Sequence, residues 1–293
     1  MEETRITLEE ATKALIFGSF WILASSFIAW ANGFYQMPAV IQEKKLSGNV
    51  LISAFVIFLL FSVAIGPLVS ALGVYLYTGE LKTDSQIANI LISSLSILLT
   101  FFAIVCFYFY LTPEDKVLIA GRYFGPLTGF KKTWNDLFVG IGTWFVAFPI
   151  MAVAGKLVYL FLYSFGLEEV PNQTAVSHVK DALESPALFS FIAIDIVFFV
   201  PILEEFIFRG CLQTYLKSRI GMIKAIVLAS MIFAAFHFSF AQGLGNIELL
   251  VSLFILSCFL GFIYEKQKSL LASISLHAFF NAVTVALILL FKD

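Results

Sequence analysis

Between Pro201 and Arg209 the chain reads Pro-Ile-Leu-Glu-Glu-Phe-Ile-Phe-Arg, inside a run that is otherwise mostly apolar from Phe189 to Leu216. A charged side chain at mid-bilayer costs roughly 2.5–3.5 kcal/mol on the insertion scale. Glu204, Glu205 and Arg209 lie within six residues, so they must pair, face a wet cavity or do chemistry. Glu205 and Arg209 stand at i,i+4 with the acid first, the better orientation for a helical ion pair. Glu204 lies about 100° around the helix from Glu205. It is left freer than its neighbour and suits a general base that takes a proton from water. Pro201 lacks an N–H and disturbs the helix just upstream, which frees carbonyls and gives water a way in.

The chain has three histidines. His178 lies in a polar stretch and reads as an ordinary loop residue. His237 and His277 lie within apolar runs. Phe233 stands four residues before His237, so its ring is expected on the imidazole face, and Asn281 stands four residues after His277, so both point one way. These groups compose a peptide hydrolase without a nucleophilic side chain. Glu204 would activate water, Glu205 would position that water or hold Arg209, and His237 would share the water or protonate the leaving amine. His277 and Asn281 would stabilise the oxyanion, an effect often worth ~3–4 kcal/mol. Two Glu and two His also form a set able to hold zinc. No pair has helical metal-ligand spacing and there is no His-Glu-x-x-His, so no cofactor is expected and no metal ligand is assigned.

The elements that carry these groups are membrane helices. Sixty per cent of the chain is hydrophobic and 13% charged, with mean hydropathy +0.94, against roughly 25% charged in soluble domains. The fold class is all-α, a polytopic transmembrane bundle of about eight spans. The expected spans are 15–34, 50–77, 87–111, 137–165, 188–216, 223–240, 247–264 and 270–290. The fourth, with Pro149 and Lys156, is longer than one crossing needs. The polar stretch from Glu168 to Glu184 divides the chain into 1–186, an N-terminal half without a motif, and 187–293, a catalytic core. Asp195 is read as interhelical glue or a cavity-lining residue, placed by its spacing on another part of the helix from Glu204. Cys106, Cys211 and Cys258 have no metal or redox spacing and read as packing residues. Ala29-Trp30-Ala31 has the form of a signal-peptidase site, but the apolar run before it is long and its leader acidic, so the first span is read as uncleaved.

Odd-numbered loops carry Lys44, Lys45, Lys116, Arg122, Lys131, Lys132, Lys217, Arg219, Lys224, Lys266 and Lys268. The termini and even-numbered loops carry Arg5, Lys13, Lys82, Lys180 and Lys292. The positive-inside rule then puts the odd loops in the cytoplasm and both termini outside. Net charge of −2 gives no ground for nucleic-acid binding.

Three motifs stand in order on separate spans: Glu204-Glu205-x-x-x-Arg209, Phe233-x-x-x-His237 and His277-x-x-x-Asn281. This ordered trio resembles the CAAX-protease and bacteriocin-processing family, whose members include the type II CAAX prenyl endopeptidases, over roughly residues 188–290. The resemblance implies an eight-helix intramembrane glutamate protease. The residue matching Glu204 activates water with help from the one matching His237, and those matching His277 and Asn281 form the oxyanion site. It further implies a membrane-associated or lipidated peptide substrate, prenylated in the eukaryotic members. It also implies a multi-pass protein of the plasma membrane or endoplasmic reticulum with an active site open to the cytoplasm. Two other readings remain: a non-catalytic scaffold or bacteriocin self-immunity protein of the same fold, and a transporter with a proton relay through Glu204 and Glu205. A transporter should show inverted repeats, and none is visible.

Overall fold

A computed structural model describes residues 8–37, 45–79, 86–121, 129–165, 174–183 and 185–291. Among them the chain is helical, in the order α1 Leu8–Ala31, α2 Gly48–Tyr77, α3 Gln86–Tyr110, α4 Pro113–Ala120, α5 Phe130–Ser164, α6 Thr174–Ala182, α7 Pro186–Ile220, α8 Met222–Ala235, α9 Gly245–Gln267 and α10 Leu270–Leu290. Seven of these, all but α4, α6 and α8, are long and apolar enough to cross a membrane, and α8 is a shorter apolar helix. With α8 as a short crossing the chain is a polytopic bundle of about eight spans. Phenylalanines and leucines such as Phe20, Phe27, Leu68, Phe109 and Phe161 are exposed along the outer faces, where lipid is their solvent.

The boundaries follow local chemistry. Ser47 caps α2 by accepting from the Asn49 N–H, and Thr112 accepts from the Asp115 N–H ahead of Pro113 at the start of α4. Gly221 breaks α7 from α8 at φ +84°, a conformation that suits glycine. The sixth span ends earlier than its hydropathy suggests. Helix α8 stops at Ala235 and His237 sits in the following turn, so the apolar residues up to Phe240 lie outside the helix.

Helix α5 packs on α9 and α10, with α1 on its outer side. Trp144 and Met151 of α5 meet Leu256 and Leu260 of α9 and Leu276 of α10. At Gly140 the approach is closest, since a Cβ there would overlap Ser275 Oγ and the Ala272 carbonyl. A second core joins Phe206, Ile207 and Phe208 of α7 to Phe233 of α8, Ile119 of α4 and Tyr264 of α9.

Contacts between loops establish which ends of the spans share a face. Lys266 at the end of α9 donates to the carbonyls of Gly33 (3.1 Å) and Gln36 (2.8 Å). Tyr264 donates to Ile119 O at 3.0 Å, Gly121 pairs with Ser269, and Lys217 bridges to Glu265 at 3.1 Å. The first, third, fifth and seventh loops therefore gather on one face. On the opposite face Val179 of α6 packs with Ile90, Ile192 and Ile288.

Candidate active site

Helix α7 is not uniformly α-helical. Asp195–Phe199 and Phe206–Gln213 are π-helical, and the six-residue α segment Val200–Glu205 lies between them. Such insertions recur at functional sites because they rotate the side chains that follow. Nine residues separate Asp195 from Glu204, which in an ideal α-helix puts them about 180° apart. One extra residue in the intervening turn reduces that to about 80°. Asp195 and Glu204 accordingly line the same cavity, and the expectation that their spacing separates them fails for this reason.

Pro201 completes the distortion. In the i→i−5 register of this stretch, seen in the Val200 N–H to Asp195 O bond, residue 201 would donate to Ile196 O. Proline has no N–H to give. The Asn281 amide takes that place, donating from Nδ2 to Ile196 O at 2.8 Å. A freed carbonyl was expected here, and a side chain from α10 satisfies it.

Glu205 and Arg209 are both fully buried, with Arg209 Nε 3.1 Å from Glu205 Oε2. Among the described residues none of the guanidinium nitrogens has a well-directed hydrogen-bond partner. Charge and the Phe233 ring, 4.8 Å from the guanidinium carbon, hold the group in place. Glu205 also accepts from His277 Nδ1 at 2.9 Å and from the Ser273 hydroxyl. Ser273 was not singled out in the sequence. Its position four residues before His277 is the signal that would have found it, because the two share a helix face.

The two imidazoles converge on Glu204. His237 Nδ1 lies 3.0 Å from Phe233 O. A carbonyl only accepts, so Nδ1 carries a proton, and in the neutral form of the ring Nε2 turns its lone pair outward. Phe233 supports the same ring, with centroids 4.8 Å apart at 42°. Nε2 of His237 stands 3.8 Å from Glu204 Oε1, and Nε2 of His277 stands 3.8 Å from Glu204 Oε2. These gaps are too long for direct hydrogen bonds and suit a water touching both groups. Glu204 keeps 18% of its side chain exposed. It lines a cavity of about 550 Å³ together with His237, His277 and Asn281. A second cavity of about 360 Å³, between α2, α3 and α7, also reaches Glu204.

Glu204, Glu205, Arg209, Phe233, His237, His277 and Asn281 thus meet in one region. His178 falls in α6, but its side chain lies outside the described residues. Among the described residues no three His, Cys, Asp or Glu side chains are grouped to hold a metal ion.

Fold and site together define an integral, multi-pass helical membrane protein with an acid–imidazole cluster buried between its spans. Residues 186–283, from the start of α7 into α10, match the family model of the type II CAAX prenyl endopeptidase Rce1-like proteins. The chain matches no curated protein sequence and no solved structure.

Proposed function

We propose that the chain is an intramembrane endopeptidase that hydrolyses a peptide bond with a water activated by Glu204. The observation that carries this reading is the pair of imidazole Nε2 atoms, each 3.8 Å from one oxygen of Glu204, at the meeting point of two cavities. Glu204 takes a proton from water as the water oxygen bonds to the carbonyl carbon. The resulting oxyanion accepts hydrogen bonds from His277 and Asn281. One amide proton of Asn281 is committed to Ile196 O, and the second is the donor available to the cavity. With Nδ1–H given to Glu205, His277 donates from Nε2 only as an imidazolium, with Glu205 as its counter-ion. As the C–N bond breaks, the proton passes by way of Glu204 and His237 to the leaving nitrogen, giving a carboxylate and an amine. Glu205 and Arg209 act as positioning residues. No step requires a metal.

The substrate class follows from the setting and from the family matched by residues 186–283. It is a membrane-associated or lipidated peptide, prenylated CAAX-type tails among the candidates. On either side of Glu204 a cavity is ready for one flank of the scissile bond.

The test is cleavage of quenched fluorescent lipopeptides by the full chain in proteoliposomes. Glu204→Gln and His237→Ala should abolish turnover while the protein remains folded. Full activity in either variant overturns the assignment. Peptides co-purifying with Glu204→Ala and not with the parent would identify the substrate. Intact peptides on both proteins would favour a scaffold instead.

A further inference from the structure

The turn that follows His237 holds one side chain in the wall of the larger cavity. Helix α8 ends at Ala235, and Phe240–Gln242 form a single 3₁₀ turn before α9 begins at Gly245. Asn246, itself buried, straps that turn. Its Oδ1 accepts from the Ser239 N–H at 2.9 Å, and its Nδ2 donates to Ser239 O at 2.7 Å and to Gly243 O at 2.9 Å. Gly243 closes the turn at φ +49°, a conformation that favours glycine. The turn therefore has two faces. Phe240 is 94% exposed, whereas Gln242 is 6% exposed and lines the cavity with Glu204, His237 and Asn281.

Gln242 differs from other polar groups of that wall. Asn281 donates to Ile196 O and Thr284 to Phe280 O. Ser94 lies beside Asp195, and Lys156 lies in electrostatic reach of Glu248. Glu204 faces the two imidazoles and is taken by the water of the reaction. Gln242 Oε1 is buried and, among the described residues, has no hydrogen-bond partner. A buried acceptor without a donor is costly, and a bound group that supplies the donor removes the cost.

The rest of the wall indicates which donor that is. Much of it is aliphatic or aromatic, with Ile97, Val179, Leu249, Leu256 and Phe280 among its residues. A peptide held in such a space brings main-chain N–H groups that lose their water and must be bonded again. A glutamine on a short, strapped turn offers a neutral acceptor that the N–H of any residue can use, whatever its side chain.

We propose that Gln242 is a substrate-binding residue, whose side-chain carbonyl accepts a main-chain N–H from the flank of the peptide that occupies the larger cavity. Asn246 is the positioning residue that holds it there. The proposal rests on the peptidase reading for its ligand. A contact of this kind grips the peptide irrespective of sequence, so it fixes the register of the chain and leaves side-chain preference to the apolar wall.

Binding tests the contact apart from hydrolysis. The probe is a fluorescent farnesylated CAAX-type peptide, with a set of analogues that each carry one ester in place of a main-chain amide and so lack one N–H. Each is titrated by anisotropy onto the full chain in nanodiscs. The chain carries Glu204→Gln to prevent cleavage and is compared with and without Gln242→Met, which keeps the length of the side chain and removes the acceptor. Gln242→Met should weaken the all-amide peptide about ten-fold, as expected when a donor is left unpaired. It should not weaken the one ester analogue that lacks the contacting N–H. Asn246→Ala, which releases the turn, should cost a similar factor and lose it against the same analogue. Equal affinity with and without Gln242→Met would overturn the contact. A loss that persists across every ester analogue, in either variant, would also overturn it, since a displaced turn weakens all of them alike. Failure of the all-amide peptide to bind the chain that retains Gln242 would overturn the substrate class and this contact with it. Turnover persisting in Glu204→Gln would overturn the peptidase reading, and it is measured before Gln242 is changed.

Discussion

Glu204→Ala and Glu205→Ala delete the same group from adjacent positions, and their environments predict opposite effects on stability. Glu205 is fully buried. It faces Arg209 at 3.1 Å and His277 at 2.9 Å and accepts from Ser273. Removing it leaves a guanidinium, itself fully buried, without a counter-ion. Breaking a buried pair from one side costs about 3–5 kcal/mol. At 2–4 °C per kcal/mol, a value taken from soluble domains of 150–250 residues, even the lower figure lowers the melting midpoint by roughly 6–12 °C. Glu204 makes no contact shorter than 3.8 Å to either imidazole and is partly open to a cavity. Its loss should change stability by about 1 kcal/mol or less, as for weakly paired charges. The assay is thermal unfolding of detergent-solubilised protein, parent and variants side by side, with turnover measured on the same samples. Both variants should lose turnover and only Glu205→Ala should lose stability. Glu205→Leu combined with Arg209→Met should recover most of the stability, because apolar groups of similar volume replace buried ion pairs at little cost. It should recover no activity, since His277 has lost the group that orients it. A Glu205→Ala protein melting within a degree or two of the parent would refute the distinction between a positioning acid and a catalytic one.

Three further outcomes are expected. Asn281→Ala should lower kcat more than it raises KM, and a change in KM alone would contradict an oxyanion role; by orphaning Ile196 O it should also destabilise the fold by about 1–3 kcal/mol. Gly140→Val should destabilise the protein and disturb α5 against α10, read as a lower melting midpoint, because no space exists there for a side chain. Strong chelators should leave turnover unchanged, and a loss restored by added zinc would recast Glu204, His237 and His277 as metal ligands.

Much of the site was legible because i,i+4 spacing maps directly onto a helix face. Glu205 with Arg209, and Phe233 with His237, meet as their intervals require. The partners across helices were less accessible. That His277 would give Nδ1 to Glu205 and turn Nε2 toward Glu204, 3.8 Å away, depends on how α10 sits against α7, and periodicity within one helix carries no such information. The end of α8 was misplaced for a different reason. Hydropathy registers apolar residues, and Phe236, Phe238 and Phe240 are apolar whether helical or not. The turn at His237 is a matter of backbone geometry, with no proline or glycine before Gly243 to announce it. Asp195 lines the cavity, one of the two places its sequence reading allows, and only its angle to Glu204 departs from expectation, because 3.6 residues per turn does not hold across a segment that is π-helical.

That irregularity also explains how one helix serves three tasks. A strict α-helix would turn Asp195 away from Glu204, and an intact backbone ladder at residue 201 would leave Ile196 O no need of Asn281. The π turn and Pro201 together rotate the acid into the cavity and expose an acceptor that draws α10 against α7. The same contact fixes Asn281 one helical turn beyond His277, whose other neighbour is Glu205. The distortion upstream of Glu204 and the ion pair downstream of it therefore clamp α10 at two levels, and the imidazole between them is held by both. Positioning in this site comes from backbone groups left unsatisfied in α7 as much as from its charges.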